Sequence, residues 1–425
     1  MSKNILLTKK GRSVHGTVNL TGSKSECNRA LVIEALSEGK VTVQNVSDAA
    51  DTVTLAGILK RELQFAGDTQ SSNHNLQPTT VNIGPAGTAM RFLTAYFTLQ
   101  GEETILTGSE RMKQRPIGVL VNALRQLGAV IYYVENDGYP PIKIKGNLQQ
   151  VTDTISIKGD ISSQYITALL LIAPRLPLGL QLNIEGELTS RPYVEMTLAM
   201  LEQAGIKHTW AGNTINIAHQ EFKETALPVE PDWSAASYWY AIAALADDAE
   251  IFLKGLTQYS LQGDSVITEI MANFGITSQF KDGGVYLKKE DKLISRDLFD
   301  MKKCPDLAQT VIVVCAALGH EATFTGLETL KIKETDRVKA LQNELAKMGV
   351  KLIEDNLMYK LDCSEKFIPR HLFVNTYEDH RMAMAFAPLA LLIPEVELEE
   401  EKVVEKSYPA FWSDLEQLGF ETKTI

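Results

Sequence analysis

One pattern recurs along this chain and restricts its fold more than any other feature. An amphipathic helical stretch runs into a glycine, and strand-like alternation follows. LVNALRQLGAVIYYV ends its helix at Gly128 and LAMLEQAGIKHTW at Gly205; VITEIMANFGITSQF does so at Gly275, ALQNELAKMGVKLIE at Gly349 and FWSDLEQLGFETKTI at Gly419. The intervals are 77, 70, 74 and 70 residues. A weaker copy, TLAGILKRELQFAGD, reaches Gly67. A glycine there suits a helix C′ position, where φ is positive. Turn signals such as Asp137-Gly138 and Asp282-Gly283 then separate two short strands.

A second series keeps step with the first. Six apolar helices open on polar or charged residues: SKSECNRALVIEAL from Ser23, GTAMRFLTAYF from Gly87, SSQYITALLLIA from Ser162, DWSAASYWYAIAAL from Asp232, PDLAQTVIVVCAAL from Pro305 and DHRMAMAFAPLALL from Asp379. Six such units fill the 425 residues. Strands between the helices exclude an all-helical solenoid. A chain of this length is expected to divide into two domains of roughly 200 residues each. The expectation is an α/β architecture of duplicated units, three per domain.

Charge narrows the partners. Against 42 basic residues stand 53 acidic ones, a net charge of −11. That argues against nucleic acid or an anionic membrane as a general partner, while local basic clusters still allow a small anionic ligand. The cysteines Cys27, Cys304, Cys315 and Cys363 form no CxxC pair and have no His at zinc-finger spacing. The opening MSKNILLTKKGRSVHG lacks the apolar core of a signal peptide. Met382 to Pro394, the longest apolar stretch, is too short to span a bilayer and reads as a buried helix. A reduced, cytoplasmic protein without metal or cofactor is expected.

The helix openings carry the chemistry. Helix N-termini expose unpaired N–H groups and the positive end of the dipole, so they attract anions. Polar residues there are also ordinary caps, and each opening alone admits either reading. GPAGTAMRF lacks the lysine and hydroxyl that a P-loop requires after its last glycine. LTGSKSECNRAL sets Lys24, Ser25 and Arg29 at a helix start, where the dipole disfavours cations unless an anion is bound. In GSERMKQRPIGVL an extended chain would put Arg111, Lys113 and Arg115 on one face, with Pro116 suited to the first helical position. KIKETDRVKAL, read as a helix start, puts Lys333 and Arg337 four apart and Glu334 three before Arg337, the spacing of helical salt bridges. YEDHRMAMAF places Asp379, His380 and Arg381 before a strongly apolar helix. Asp306, alone among apolar neighbours in KCPDLAQT, is either an N-cap or, partly buried, a proton acceptor. No nucleophile elbow, HExxH or EF-hand occurs. The inventory suits substrates bearing phosphate and carboxylate, with proton transfer.

GSKSECNRA, GPAGTAMR, RMKQRPIG, SSQYITALL, TSRPY, PDLA, KETDR and DHRMAM, in this order, resemble the EPSP synthase family from about Lys24 to Lys406. The resemblance implies an enolpyruvyl transferase fold: a two-domain inside-out α/β barrel of six βαβαββ repeats. Residues 1–19 with 230–425 would form one domain and 20–229 the other, with the active site in the interdomain cleft. It implies transfer of the enolpyruvyl group of phosphoenolpyruvate to the 5-hydroxyl of shikimate 3-phosphate through a tetrahedral adduct. By the motif match, Lys24, Ser25, Arg29, Ser162, Ser163, Gln164, Ser190, Tyr193, Asp306 and Lys333 would hold shikimate 3-phosphate. Lys24, Gly87, Arg115, Gln164, Arg337, Arg381 and Lys406 would hold phosphoenolpyruvate. Asp306 would take the hydroxyl proton, Glu334 would handle the proton at C3, Lys24 would assist, and His380 would support. No cofactor and no metal is implied, and a monomer is expected.

Some positions depart from the family pattern. Pro85 stands where an asparagine is common and Phe92 where a proline is; Thr329 replaces an asparagine, Arg191 a lysine and Glu378 an asparagine. Two other readings compete. A UDP-N-acetylglucosamine enolpyruvyl transferase would need a reactive cysteine on a flexible loop, and Cys27 falls inside a helix start. A non-catalytic anion-binding scaffold would not need Asp306, Glu334 and Lys24.

Overall fold

The computed structural model describes residues 3–67, 78–291 and 294–425. They form two compact units, one of Met1–Ser23, Asp48–Ala50 and Glu230–Ile425, the other of Lys24–Ser47 and Asp51–Val229.

The sheets repeat one design. In the first unit the strand orders are Ile276–Lys281, Gly284–Lys289, Asp248–Lys254, Ser13–Asn19; then Leu298–Asp300, Thr323–Thr325, Met358–Asp362, Lys351–Asp355; then His371–Val374, Glu395–Leu398, Ile5–Lys9, Phe420–Thr424. Each has one parallel pair at an edge and two antiparallel pairs. The second unit repeats the pattern with the sheet containing Thr79–Asn82 and Thr104–Thr107 and the sheet containing Thr154–Lys158 and Leu180–Glu185. Its remaining pair, Val41–Gln44 with Thr225–Pro228, is parallel. The strands expected just after Gly67 would begin in residues 68–77, outside the described residues; Gly67 itself ends the helix Ala50–Gly67.

Parallel neighbours need a crossover, and a buried helix supplies it. Gly87–Leu99 joins Thr79–Asn82 to Thr104–Thr107, and Ser163–Ile172 joins Thr154–Lys158 to Leu180–Glu185. Ala308–Leu318 and His380–Phe386 do the same in the other unit. Each such helix therefore starts where a strand ends, so its N-terminus lies at the carboxyl end of the sheet, the usual ligand side of α/β sheets. These helices are buried almost all round: every residue of Trp233–Leu245 except Ser234 is buried, as expected for helices without a polar face. Lys24–Leu36, Gly87–Leu99 and Ser163–Ile172 pack on one another, and so do Trp233–Leu245, Ala308–Leu318 and His380–Phe386. The apolar run from Met382 is helical only to Phe386 and continues as a 3-10 turn over Ala387–Leu391.

The repeating glycines serve their turns. Gly349 has φ +72°, and a Cβ there would lie 2.2 Å from the Glu365 carbonyl oxygen. Between Ile276–Lys281 and Gly284–Lys289, Asp282 and Gly283 have φ of 54° and 75°, the two positive values of a type I′ hairpin.

Candidate active site

In the unit built from Lys24–Ser47 and Asp51–Val229, polar groups gather at helix starts. Lys24 begins its helix and its Nζ lies 3.3 Å from Asp51 Oδ2, both largely buried. Ser162 caps the helix Ser163–Ile172, accepting from the Gln164 N–H. The Gln164 side chain reaches across to Thr88 Oγ1 at 3.3 Å and so ties two helix openings together. Ser163 is buried beside it, and Ser190, also buried, precedes the helix Arg191–Gln203 in a left-handed conformation.

Arg115 is the least compensated cation of this group. It is 6% exposed, and its Nε is buried without a hydrogen-bond partner. Its guanidinium lies against Gly87, where a Cβ would stand 2.5 Å from Nη1. Gly87 thus leaves room for a buried cationic fork at a helix N-terminus, and both features favour an anion with paired oxygens. Arg91 holds the surrounding backbone in place, donating to the Gly87 and Pro116 carbonyls.

Arg111 and Lys113 do not share this site. In an extended chain all three cations would share one face, but Glu110–Lys113 is a short helix capped by Ser109. That turns Lys113 toward Glu110 and Glu135 and Arg111 toward Gln114. The next helix begins at Gly118, so Pro116 is not its first residue.

Arg29 is turned inward. It donates from Nε to Thr197 Oγ1 at 2.8 Å, from Nη1 to the Ser25 carbonyl at 2.7 Å, and from Nη2 to Thr167 and the Tyr193 carbonyl. Its guanidinium lies 5.6 Å from the Phe92 ring and 5.8 Å from the Tyr193 ring, within cation–π range. Burial lowers it to about 10, outweighing the nearby Tyr193 and Glu26. Phe92 is thereby a wall of the Arg29 pocket, whereas Pro85 is exposed in the turn.

The other unit holds the carboxylates. Arg337, 2% exposed, donates from Nε to Asp379 Oδ2 at 2.6 Å, from Nη1 to Asp306 Oδ1 at 3.2 Å and from Nη2 to Glu334 Oε2 at 2.9 Å. Burial alone would lower its proton affinity, but the three carboxylates, Asp379 foremost, raise it further. Arg381 Nη2 lies 3.0 Å from Asp306 Oδ2 and 3.4 Å from Ser234 Oγ, and Nη1 donates to the Tyr238 hydroxyl and the Asp306 carbonyl. Arg381 therefore joins the starts of the three buried helices. Lys406 Nζ lies 3.7 Å from Glu334 Oε1. His380 Nδ1 lies 3.7 Å from Asp379 Oδ1.

Asp306 sits in the 3-10 turn Pro305–Leu307 and caps no helix; both its carboxylate oxygens face arginines. The helix after KETD starts at Arg337 with Asp336 as its cap, so Lys333 is extended, half-buried chain and shares no helical face with Arg337. The Glu334–Arg337 pair forms nonetheless, across the helix start.

Sequence reasoning missed Asp51, Ser234 and Asp264 as members of these clusters. Asp264, in LQGDSV, looks like a surface turn residue, yet it is 4% exposed and accepts a hydrogen bond from Ser234. The polar Ser234 near the start of a largely apolar helix is the nearest signal to it in the sequence.

The chain matches the family model for EPSP synthase (3-phosphoshikimate 1-carboxyvinyltransferase) over residues 8–415. A 3-phosphoshikimate 1-carboxyvinyltransferase of Bacteroides fragilis is 44% identical over 412 residues, covering 96% of this chain and 97% of that protein. One from Sulfurovum sp. is 35% identical over 435 residues, covering 98% and 99%. Among solved structures, EPSP synthase from Acinetobacter baumannii has a TM-score of 0.74 at 18% identity, covering 99% of this chain and 100% of that one. The enolpyruvyl transferase NikO from Streptomyces tendae has a TM-score of 0.71 at 16% identity, covering 100% and 99%. These structural likenesses concern the fold.

Proposed function

This chain belongs to the EPSP synthase family, and from that premise we propose which of its residues carry the reaction. The enzyme transfers the enolpyruvyl group of phosphoenolpyruvate to the 5-hydroxyl of shikimate 3-phosphate and releases phosphate, on the route to chorismate and the aromatic amino acids. The observation that best supports the assignment of roles is Asp306, whose two carboxylate oxygens lie 3.0 and 3.2 Å from two buried arginines. A carboxylate so fixed is aimed, and its proton acceptance responds to whatever anion the arginines meet.

In this reading the cations serve one pair of substrates. Lys24, Arg115, Arg337, Arg381 and Lys406, with Gly87 and Gln164, receive phosphoenolpyruvate. Lys24, Ser25, Arg29, Ser162, Ser163, Gln164, Ser190, Tyr193 and Lys333 receive shikimate 3-phosphate. Asp306 takes the proton of the 5-hydroxyl as its oxygen bonds to C2 of the enol, while C3 gains a proton by way of Glu334. The tetrahedral adduct then loses a proton from C3 and expels phosphate, restoring the enol double bond on the new ether. Positioned anion-binding forks strengthen as charge moves onto the leaving phosphate. The enzyme works as a cytoplasmic monomer on small molecules alone. Among the described residues, no helix is long and apolar enough to cross a membrane.

A UDP-sugar acceptor fits the residues less well. All four cysteines are buried, and burial raises the Cys27 and Cys363 thiols to about 11 and the Cys304 thiol to about 12. None is an exposed, readily ionised thiol. Purified protein is expected to release phosphate only with phosphoenolpyruvate and shikimate 3-phosphate together. Equal release with a UDP-N-acetylglucosamine acceptor overturns the assignment.

Gly87→Ala tests the donor side. Its Cβ would press on Arg115 Nη1 from 2.5 Å. The KM for phosphoenolpyruvate is expected to rise roughly tenfold, about 1.4 kcal/mol of lost binding, with a smaller change for shikimate 3-phosphate. Steady-state kinetics with each substrate varied checks this, and an unchanged donor KM removes Arg115 from the donor site.

A further inference from the structure

We propose that Asp264 is a positioning residue of the reaction: as a neutral carboxyl it lets Arg381 engage Asp306 and the donor, and on ionising it draws Arg381 away through Ser234. The proposal rests on the reading of Arg381 as a donor-binding group.

The geometry is a short relay. Ser234 donates to Asp264 Oδ2 and accepts from Arg381 Nη2 at 3.4 Å, and the same Nη2 lies 3.0 Å from Asp306 Oδ2. Asp264 and Asp306 thus converge on one guanidinium nitrogen, Asp264 through a hydroxyl and Asp306 directly. The segment that carries Asp264 is fixed. Buried Gln262 accepts from the Trp233 N–H at 2.8 Å and donates to the Pro231 carbonyl at 2.8 Å, pinning residues 262–264 to the start of the helix Trp233–Leu245.

Asp264 is also built to hold a proton. It is 4% exposed, and its Oδ1 is buried with no hydrogen-bond partner. An ionised carboxylate with an unpartnered buried oxygen is costly, and neutralisation relieves that cost. The groups facing it are Asp306, Arg381 and Asp232, with the Cys304 thiol also within electrostatic reach. Burial first, and the Asp306 charge second, raise Asp264 to about 7, against the opposing pull of Arg381 and Ser234. Burial and the neighbouring Asp306 charge thus both favour the neutral carboxyl.

The sign follows. Below neutrality Asp264 is uncharged and Arg381 keeps its full attraction for the donor anion. Above neutrality a second negative charge shares Arg381, and donor binding weakens. Asp264→Asn keeps a neutral hydrogen-bonding group at every pH. The ratio of wild-type to Asp264→Asn KM for phosphoenolpyruvate is expected to climb roughly fivefold between about pH 6 and pH 8.5, the scale of one charge acting at short range. Comparison at equal pH cancels the donor's own ionisation. A ratio that stays constant across this range overturns the proposal and leaves Asp264 a structural residue. If Asp264→Asn does not fold, the same series on Ser234→Ala decides: a weaker pH dependence of donor KM supports the relay, and a wild-type dependence overturns it. Carbon-13 titration of aspartate-labelled wild-type protein gives a readout independent of turnover. A buried carboxyl titrating near neutrality is expected, and full ionisation of every aspartate by about pH 5.5 overturns the proposal even if the protein proves to use other substrates.

Discussion

Asp306→Ala and Glu334→Ala are each expected to lower kcat roughly 10²-fold or more, the usual scale for a lost general acid or base. Each carboxylate is held by a different nitrogen of one guanidinium, Asp306 by Arg337 Nη1 and Glu334 by Arg337 Nη2. Removing either leaves the other still paired, so the fold around Arg337 is retained through Asp379. Substrate binding is expected to survive, because the cations assigned to the phosphates and carboxylates remain. Losing a carboxylate that competes for Arg337 and Arg381 can even tighten donor binding, so KM for phosphoenolpyruvate is expected to stay level or fall while kcat collapses. The shared arginine also predicts coupling: the double variant should cost less than the product of the single losses. Steady-state kinetics of the two single variants and the double variant checks all of this. Near-wild-type kcat in both single variants removes Asp306 and Glu334 from proton transfer.

Much of the fold was legible because the pattern is local. A helix that stops at a glycine, as at Gly349 and Gly419, records its own C-terminus, and both have positive φ. The buried helices were legible from apolar runs with polar openings. What the sequence could not show was the direction in which those openings face side chains from elsewhere. Arg111 and Lys113 seemed equivalent to Arg115 until a four-residue helix rotated them toward Gln114, Glu110 and Glu135. Lys24 and Asp51 are 27 positions apart, and no periodicity links them. Arg29 was legible as a cation at a helix start, but not the four neutral acceptors and two aromatic rings that surround it. Asp264 was invisible because Gly-Asp in a short connection is ordinary turn chemistry; only the fold carries it into the interior. Phe92 illustrates the same point, since its departure from the family's proline gains meaning only beside Arg29.

Arg337→Met is expected to destabilise its unit by about 3–5 kcal/mol, the cost of stranding one partner of a buried ion pair. Asp379 is 0% exposed and receives both Nε and Nη2 of Arg337. Its other bond, from the Arg381 N–H, caps the helix His380–Phe386 and cannot replace a charge. Without Arg337, three carboxylates lose their shared partner, while Arg381 still lies 3.0 Å from Asp306 and Lys406 3.7 Å from Glu334. For a folding unit of this size a melting temperature lower by on the order of 10 °C is expected. Arg337→Lys should recover little, because one ammonium cannot bridge three carboxylates that a planar fork reaches from separate nitrogens. Arg337→Met with Asp379→Leu should recover more, since it removes the stranded charge along with its partner. Calorimetry of the three variants separates two roles for Arg337. If the methionine variant melts within 2 °C of wild type while its donor KM rises, Arg337 is mainly a substrate contact. If it melts far lower and the double variant recovers, Arg337 first holds the acidic cluster in register, and donor binding is a second use of a side chain that folding already requires.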